Sequence, residues 1–125
     1  MHHTLRAVAV TLCLAAAQAF AHHSVGLYDT QNLVTVEGVV TRVEWTSPHV
    51  FVYFRATAAD GTAAEWSMEL DPPVLLRRYG WSKDMVKEGD TIHATGAPAK
   101  SGAAAMRGAI VELADGTQLR VWSRV

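Results

Sequence analysis

Between Leu33 and Trp45 the apolar residues of this chain change sides partway along what otherwise reads as one β-strand. On a two-residue repeat, Val34 and Val36 fall on one face, whereas Val39, Val43 and Trp45 fall on the other. A strand cannot bury both sets on one side unless an extra residue or a sharp bend intervenes, and Gly38 is the expected place for it. The chain then turns a corner, Trp45-Thr46-Ser47-Pro48-His49, and enters a second strand, His49 to Thr57. There Val50, Val52 and Phe54 share one face, and His49, Phe51 and Tyr53 share the other. A long, bent first strand followed by a tight corner is what a small closed barrel needs.

The remaining elements agree with a barrel. Asp60-Gly61 marks a hairpin turn. It leads into a third strand, Ala63 to Leu70, with Ala64, Trp66, Met68 and Leu70 expected inward and Glu65, Ser67 and Glu69 outward. At Asp71-Pro72-Pro73 the period changes, and a short helix is expected with Asp71 as its cap. Val74, Leu75, Leu76 and Tyr79 form its apolar side and Gly80 its stop; Ser82 is expected to cap a second turn carrying Met85 and Val86. Further strands follow at Asp90 to Ala97, Ala104 to Leu113 and Leu119 to Trp122, the last two joined by an Asp115-Gly116 turn. Three strands, a helical link and then more strands is the order of an OB-type fold. The expectation is a mainly β, closed or partly open barrel of five to six strands with a short helical segment between strands three and four. An immunoglobulin-like sandwich is the alternative, but it does not call for a helix between Asp71 and Gly89.

The first 21 residues, MHHTLRAVAVTLCLAAAQAFA, stand apart from this pattern. A short polar head with Arg6, an apolar run from Ala7 to Ala17 and small residues in Ala19-Phe20-Ala21 form the layout of a secretory signal peptide. Cleavage is expected after Ala21, leaving one domain from His22 to Val125 in the periplasm. Cys13, the sole cysteine, leaves with the signal, so the mature domain has no disulfide and no thiolate metal site. Val10-Thr11-Leu12 lacks the small residue that lipoprotein processing requires, so no membrane anchor is expected after cleavage. Losing Arg6 takes the balance from 11 bases and 12 acids to 10 and 12, a net charge of −2. That balance does not make a footprint for a phosphate backbone, so nucleic acid is not an expected partner.

Two groups of residues carry candidate chemistry. At the corner, Trp45, His49, Phe51 and Tyr53 place a titratable imidazole beside aromatic rings, where the face of strands two and three and the adjoining loops of OB folds bind ligands. The other reading of this group is structural, with Trp45 packed under the end of the barrel and His49 holding the turn. The second group is the mature N-terminus, where His22 carries both an α-amine and an imidazole, and His23 follows. With His49 or His93 adding a further imidazole, this nitrogen set suits copper as Cu(II). Glu65 and Glu69 read as solvated surface, and Trp81 as a plug on the barrel. No Ser-His-Asp arrangement, phosphate-binding glycine loop or zinc motif is present, so a binding or accessory role is expected rather than an enzyme. The partner is expected to be a protein or a small-molecule ligand.

Ala21-His22-His23-Ser24, the Glu-Trp-x-x-Pro-His motif at Glu44-Trp45-Thr46-Ser47-Pro48-His49, Trp66, Glu69-Leu70, Leu75-Leu76-Arg77-Arg78, Gly80-Trp81 and Lys87-Glu88-Gly89-Asp90 together carry a resemblance. By these the mature chain resembles an uncharacterised family of small exported proteobacterial proteins, a domain of unknown function. Its members more usually have Asn where this chain has Ser47, and usually lack the Tyr79 inserted before Gly80-Trp81. The resemblance implies an exported β-rich domain and brings no catalytic residues with it.

Overall fold

Six strands and one short helix follow one another in the computed structural model, which describes residues 26–121. They are β1 (Val34–Glu44), β2 (Phe51–Thr57), β3 (Ala63–Glu69), α1 (Pro73–Arg78), β4 (Thr91–Pro98), β5 (Ala105–Leu113) and β6 (Gln118–Arg120). The expected signal peptide, its cleavage site, His22 and His23 lie outside the described residues. β1 pairs antiparallel with both β2 and β4, β2 with β3, and β4 with β5. β3 then meets β5 in parallel and closes a five-stranded barrel, while β6 adds an antiparallel strand to β5. With α1 between β3 and β4, this is the OB-type plan that the order of elements implies.

β1 pairs with β4 along its first half and with β2 along its second, and it is irregular, although not at Gly38. Its pairing with β2 slips between Val40 and Arg42, so the extra residue is Thr41. Up to there the even positions Val34, Val36 and Val40 face the core, and beyond it Val43 and Trp45 do; Val39, expected with the second set, is 45% exposed. Gly38 has a different task. A Cβ there would lie 2.6 Å from the Phe54 ring and 2.7 Å from the Arg55 carbonyl oxygen, so only glycine lets β2 cross this closely.

The lumen is filled by Phe54, Met68, Leu70, Leu76, Ile92 and Met106, all fully buried, with valines between them. Burying each of these large side chains contributes about 1.5–3 kcal/mol, the main stabilising term in a domain without disulfides. Trp81 is buried, and its indole N–H donates to the Arg120 carbonyl at 2.7 Å, tying the link after α1 to β6 as a plug.

Several local expectations are corrected. Ala64, expected inward, is exposed, because the first half of β3 has β2 on one side and no strand on the other. Glu69, expected in solvent, is buried. Asp71 does not cap α1: the N-cap is Pro72, without a side-chain cap, and Asp71 is instead ion-paired with Arg107. Only Pro73 and Leu76 of α1 are buried, while Val74 and Tyr79 are exposed, so its apolar side is narrower than the sequence pattern implies. Ser82 opens the expected second turn, its N–H meeting Met85 Sδ at 3.3 Å, and the turn buries Val86.

Candidate functional site

The strand registers lay two polar-aromatic rows side by side on the outside of the barrel. One row runs Glu44 on β1, Phe51 on β2, Glu69 on β3 and Arg107 on β5; the next runs Arg42, Tyr53, Ser67 and Ala105. Alternation along β2 brings Phe51 and Tyr53 to the same face, with ring centroids 6.1 Å apart and planes 24° from parallel. The Arg42 guanidinium carbon sits 3.9 Å from the centre of the Tyr53 ring, a cation–π contact, and pairs with Glu44. Tyr53 donates its hydroxyl to Glu44 Oε2 at 3.3 Å. Burial, and then the charge of Glu44, push the Tyr53 phenol above its ordinary pKa.

Glu69 is the centre of the corner. A buried carboxylate is costly unless several partners meet it. Tyr28 donates its hydroxyl to Glu69 Oε2 at 3.0 Å, and His49 Nδ1 lies 3.0 Å from Oε1. Arg107 donates to the Glu69 backbone carbonyl at 2.9 Å and also pairs with Asp71. One side chain thus links the lead-in, the corner before β2, and β3, with β5 bound to its main chain. An ionised carboxylate only accepts, so the proton of a neutral His49 belongs on Nδ1 and the lone pair on Nε2. The imidazole side chain is 34% exposed, which leaves it open to a ligand.

Tyr28 reaches this place because the lead-in is strapped to the end of β4. It bridges Ala99, the Asp29 N–H donates to the Pro98 carbonyl at 2.8 Å, and the Lys100 N–H donates to the Leu27 carbonyl at 2.9 Å. Asp29 then holds the turn into β1 by accepting from the Gln31 N–H and the Asn32 side chain. Burial first, then the charge of Glu69 and the hydrogen bond to it, raise the Tyr28 phenol from 10.0 to about 12. A raised folded pKa gives stability that is complete below pH 10.0 and lost as pH rises towards about 12. Since Tyr28 is only partly buried, the contribution is about 1 kcal/mol after solvent screening. Urea titrations at pH 9, 10, 11 and 12 should show an alkaline loss for the protein that is smaller in Tyr28→Phe; superimposable pH profiles would dismiss the linkage.

Of the residues singled out from sequence, His49, Phe51 and Tyr53 meet on this face. Trp45 does not join them: it shares the inward face of Val43 and packs against the core near Trp81 and Val86. Its indole N–H is buried with no partner among the described residues. His93 lies in another row, Glu37–His93–Glu112 across β1, β4 and β5, with Nε2 3.4 Å from Glu37 and Nδ1 3.8 Å from Glu112. Among the described residues no group of three or more His, Asp or Glu is arranged to hold a metal ion.

Sequence reasoning missed Tyr28 and Arg107, and it took Glu69, rightly on the outer face, to be solvated. Tyr28 is 41 residues from Glu69 and Arg107 is 38 from it, so no local spacing signals the cluster. No curated protein and no solved structure matches the chain. A family model described as a family of unknown function, DUF6152, matches residues 9–108.

Proposed function

The chain belongs to the family of unknown function DUF6152, and for this member we propose a binding role. It is an exported, non-enzymatic module of the periplasm that holds a partner protein or small-molecule ligand against the outer face of β1 to β3, at the His49 corner. The observation that carries this reading is the buried Glu69 carboxylate drawn to a partly exposed histidine. For stability alone an apolar group of similar size would serve at least as well, because desolvating a charge offsets what its partners return. Here the carboxylate orients His49 next to the Phe51–Tyr53 pair, a few polar groups beside apolar rings, as ligand sites are commonly built. The location is the face that OB folds use.

A second reading, copper binding by the mature N-terminus, draws on the same contact. Histidines that ligate metals commonly have the other ring nitrogen held by a carboxylate, as Glu69 holds Nδ1 of His49. The lead-in that carries His22 and His23 is tied to that same carboxylate through Tyr28. His22, His23 and Nε2 of His49 are then the proposed nitrogen set.

One set of variants tests both. A photo-crosslinking amino acid at position 51, introduced in living cells, should yield a discrete adduct that disappears in His49→Ala and is absent when the probe replaces Gln118. An adduct unaffected by His49→Ala, or none at all, sinks the binding-face reading. For copper, Cu(II) added to the purified mature protein should give an EPR spectrum with nitrogen couplings. These should be altered both by His49→Ala and by one extra alanine ahead of His22; two unchanged spectra dismiss the copper reading.

A further inference from the structure

β3 is half covered. Along it the main-chain groups alternate sides: the Leu70 N–H points to β2 and donates to the Val50 carbonyl, whereas the Ser67 N–H points the other way, to the Ala104 carbonyl. Ala63 and Glu65 share the parity of Ser67, so their N–H and C=O groups also point away from β2. β5 pairs only with Ser67, Met68 and Glu69. Among the described residues, Ala63 and Glu65 therefore have no partner strand on that edge, and both are exposed. Such an edge is ready to pair with another extended chain.

Beside this edge the barrel opens into a mouth of about 460 Å³, within the range of ligand sites. Trp66, half-buried and stacked on Phe54 with centroids 6.3 Å apart, forms part of its wall. Ala56, Ala64, Gly102 and Ala104 surround it, and their small size leaves the space free. Glu37 is the charged side chain in the lining.

We infer that this edge and mouth form a peptide-binding site, separate from the His49 corner and independent of the reading given to it. The occupant is an extended segment of another protein that adds a strand to β3. Two donors and two acceptors, on Ala63 and Glu65, hold its main chain. Its alternate side chain, large and apolar, enters the mouth against Trp66, and a basic residue nearby answers Glu37. This is strand addition, in which the main chain supplies affinity and one pocket supplies specificity.

The probes are the synthetic peptide Lys-Thr-Thr-Trp-Thr-Thr-Lys and its counterpart with Ala at the centre, each titrated into the purified protein by calorimetry. The Trp peptide should bind about tenfold tighter or more, the size of effect expected from burying one aromatic side chain. It should also slow amide hydrogen exchange at Ala63 and Glu65. N-methylating the peptide residues whose N–H groups face β3 should abolish binding, while methylating the alternate residues should not; this control leaves the protein unaltered. Glu65→Pro, which removes a donor from the edge but none from the β2 ladder, should lose binding where Glu65→Ala retains it. Four outcomes overturn the site. They are absence of binding, indifference to the methylation pattern, protection centred on Phe51 and Tyr53, and edge amides already protected without peptide. In the last case, dependence on protein concentration would point to a second copy, and independence to residues before Gly26.

Discussion

Gly96→Ala should lower the unfolding free energy by about 3 kcal/mol or more, at the upper end of what overpacking a core costs. Gly96 stands in β4 at the irregularity of its pairing with β5, opposite Gly108. A Cβ on it would lie 2.4 Å from the Arg107 carbonyl oxygen, 3.0 Å from that carbonyl carbon and 3.1 Å from the Gly108 Cα. All three atoms are main chain in the partner strand, so no rotamer change relieves the clash; β4 and β5 must move apart. The same shift would displace Arg107 from Asp71 and from the Glu69 carbonyl. Small domains have only about 5–15 kcal/mol of stability in total, so the melting temperature should fall by about 10 °C or more. Gly61→Ala is the contrast: nothing lies within 4 Å of its would-be Cβ, and only its positive φ of 85° is strained, so about 1 kcal/mol is expected. Urea denaturation of both variants decides the matter, and equal losses would mean that the close approach of β4 to β5 is not what requires glycine.

Arg107→Met should cost about 3 kcal/mol, although it replaces one long side chain with another of apolar character. Arg107 is 19% exposed, and it offsets the charge of Asp71, which is 13% exposed, while satisfying the Glu69 carbonyl. Removing it leaves a nearly buried carboxylate without its cation, the situation in which breaking a buried pair is most damaging. Adding Asp71→Asn removes that stranded charge, so the double variant should recover at least half of the loss. A double variant as unstable as the sum of the two single ones would show that the pair is not coupled. Because Glu69 sits beside this pair, the His49 ring should also shift in Arg107→Met, visible as changed imidazole resonances by NMR.

The alternation of β2 and of the second half of β3, the helical link before β4, the Asp-Gly turns and the positions of the later strands are local patterns. They led directly to an OB-type barrel, which the structure shares. Within β1 the phase change was legible but its location was not. Apolar residues at both Val39 and Val40 let either parity serve, and only the crossing of β2 decided that Val40 goes in. Glycine usually marks a bulge or a close approach, and the sequence cannot say which; at Gly38 it is the approach of Phe54 and Arg55.

The bent strand and its corner are enough to place His49, Phe51 and Tyr53 on one face, because side chains on an extended strand alternate whatever surrounds them. It did not determine what stands behind His49. Alternation assigned Glu69 to the outside correctly, but outside a barrel is not the same as in water. The lead-in carries Tyr28 over that spot, where with His49 it meets the carboxylate, and the β3–β5 pairing brings Arg107 to the Glu69 main-chain carbonyl and to Asp71. The Tyr28 and Arg107 contacts join residues some forty positions apart, and only barrel closure brings them together. The strands and their faces follow from local residue patterns, since these depend on near neighbours. The buried charge at the corner, and the open edge of β3 beside the mouth, were decided by which strands meet and where they part.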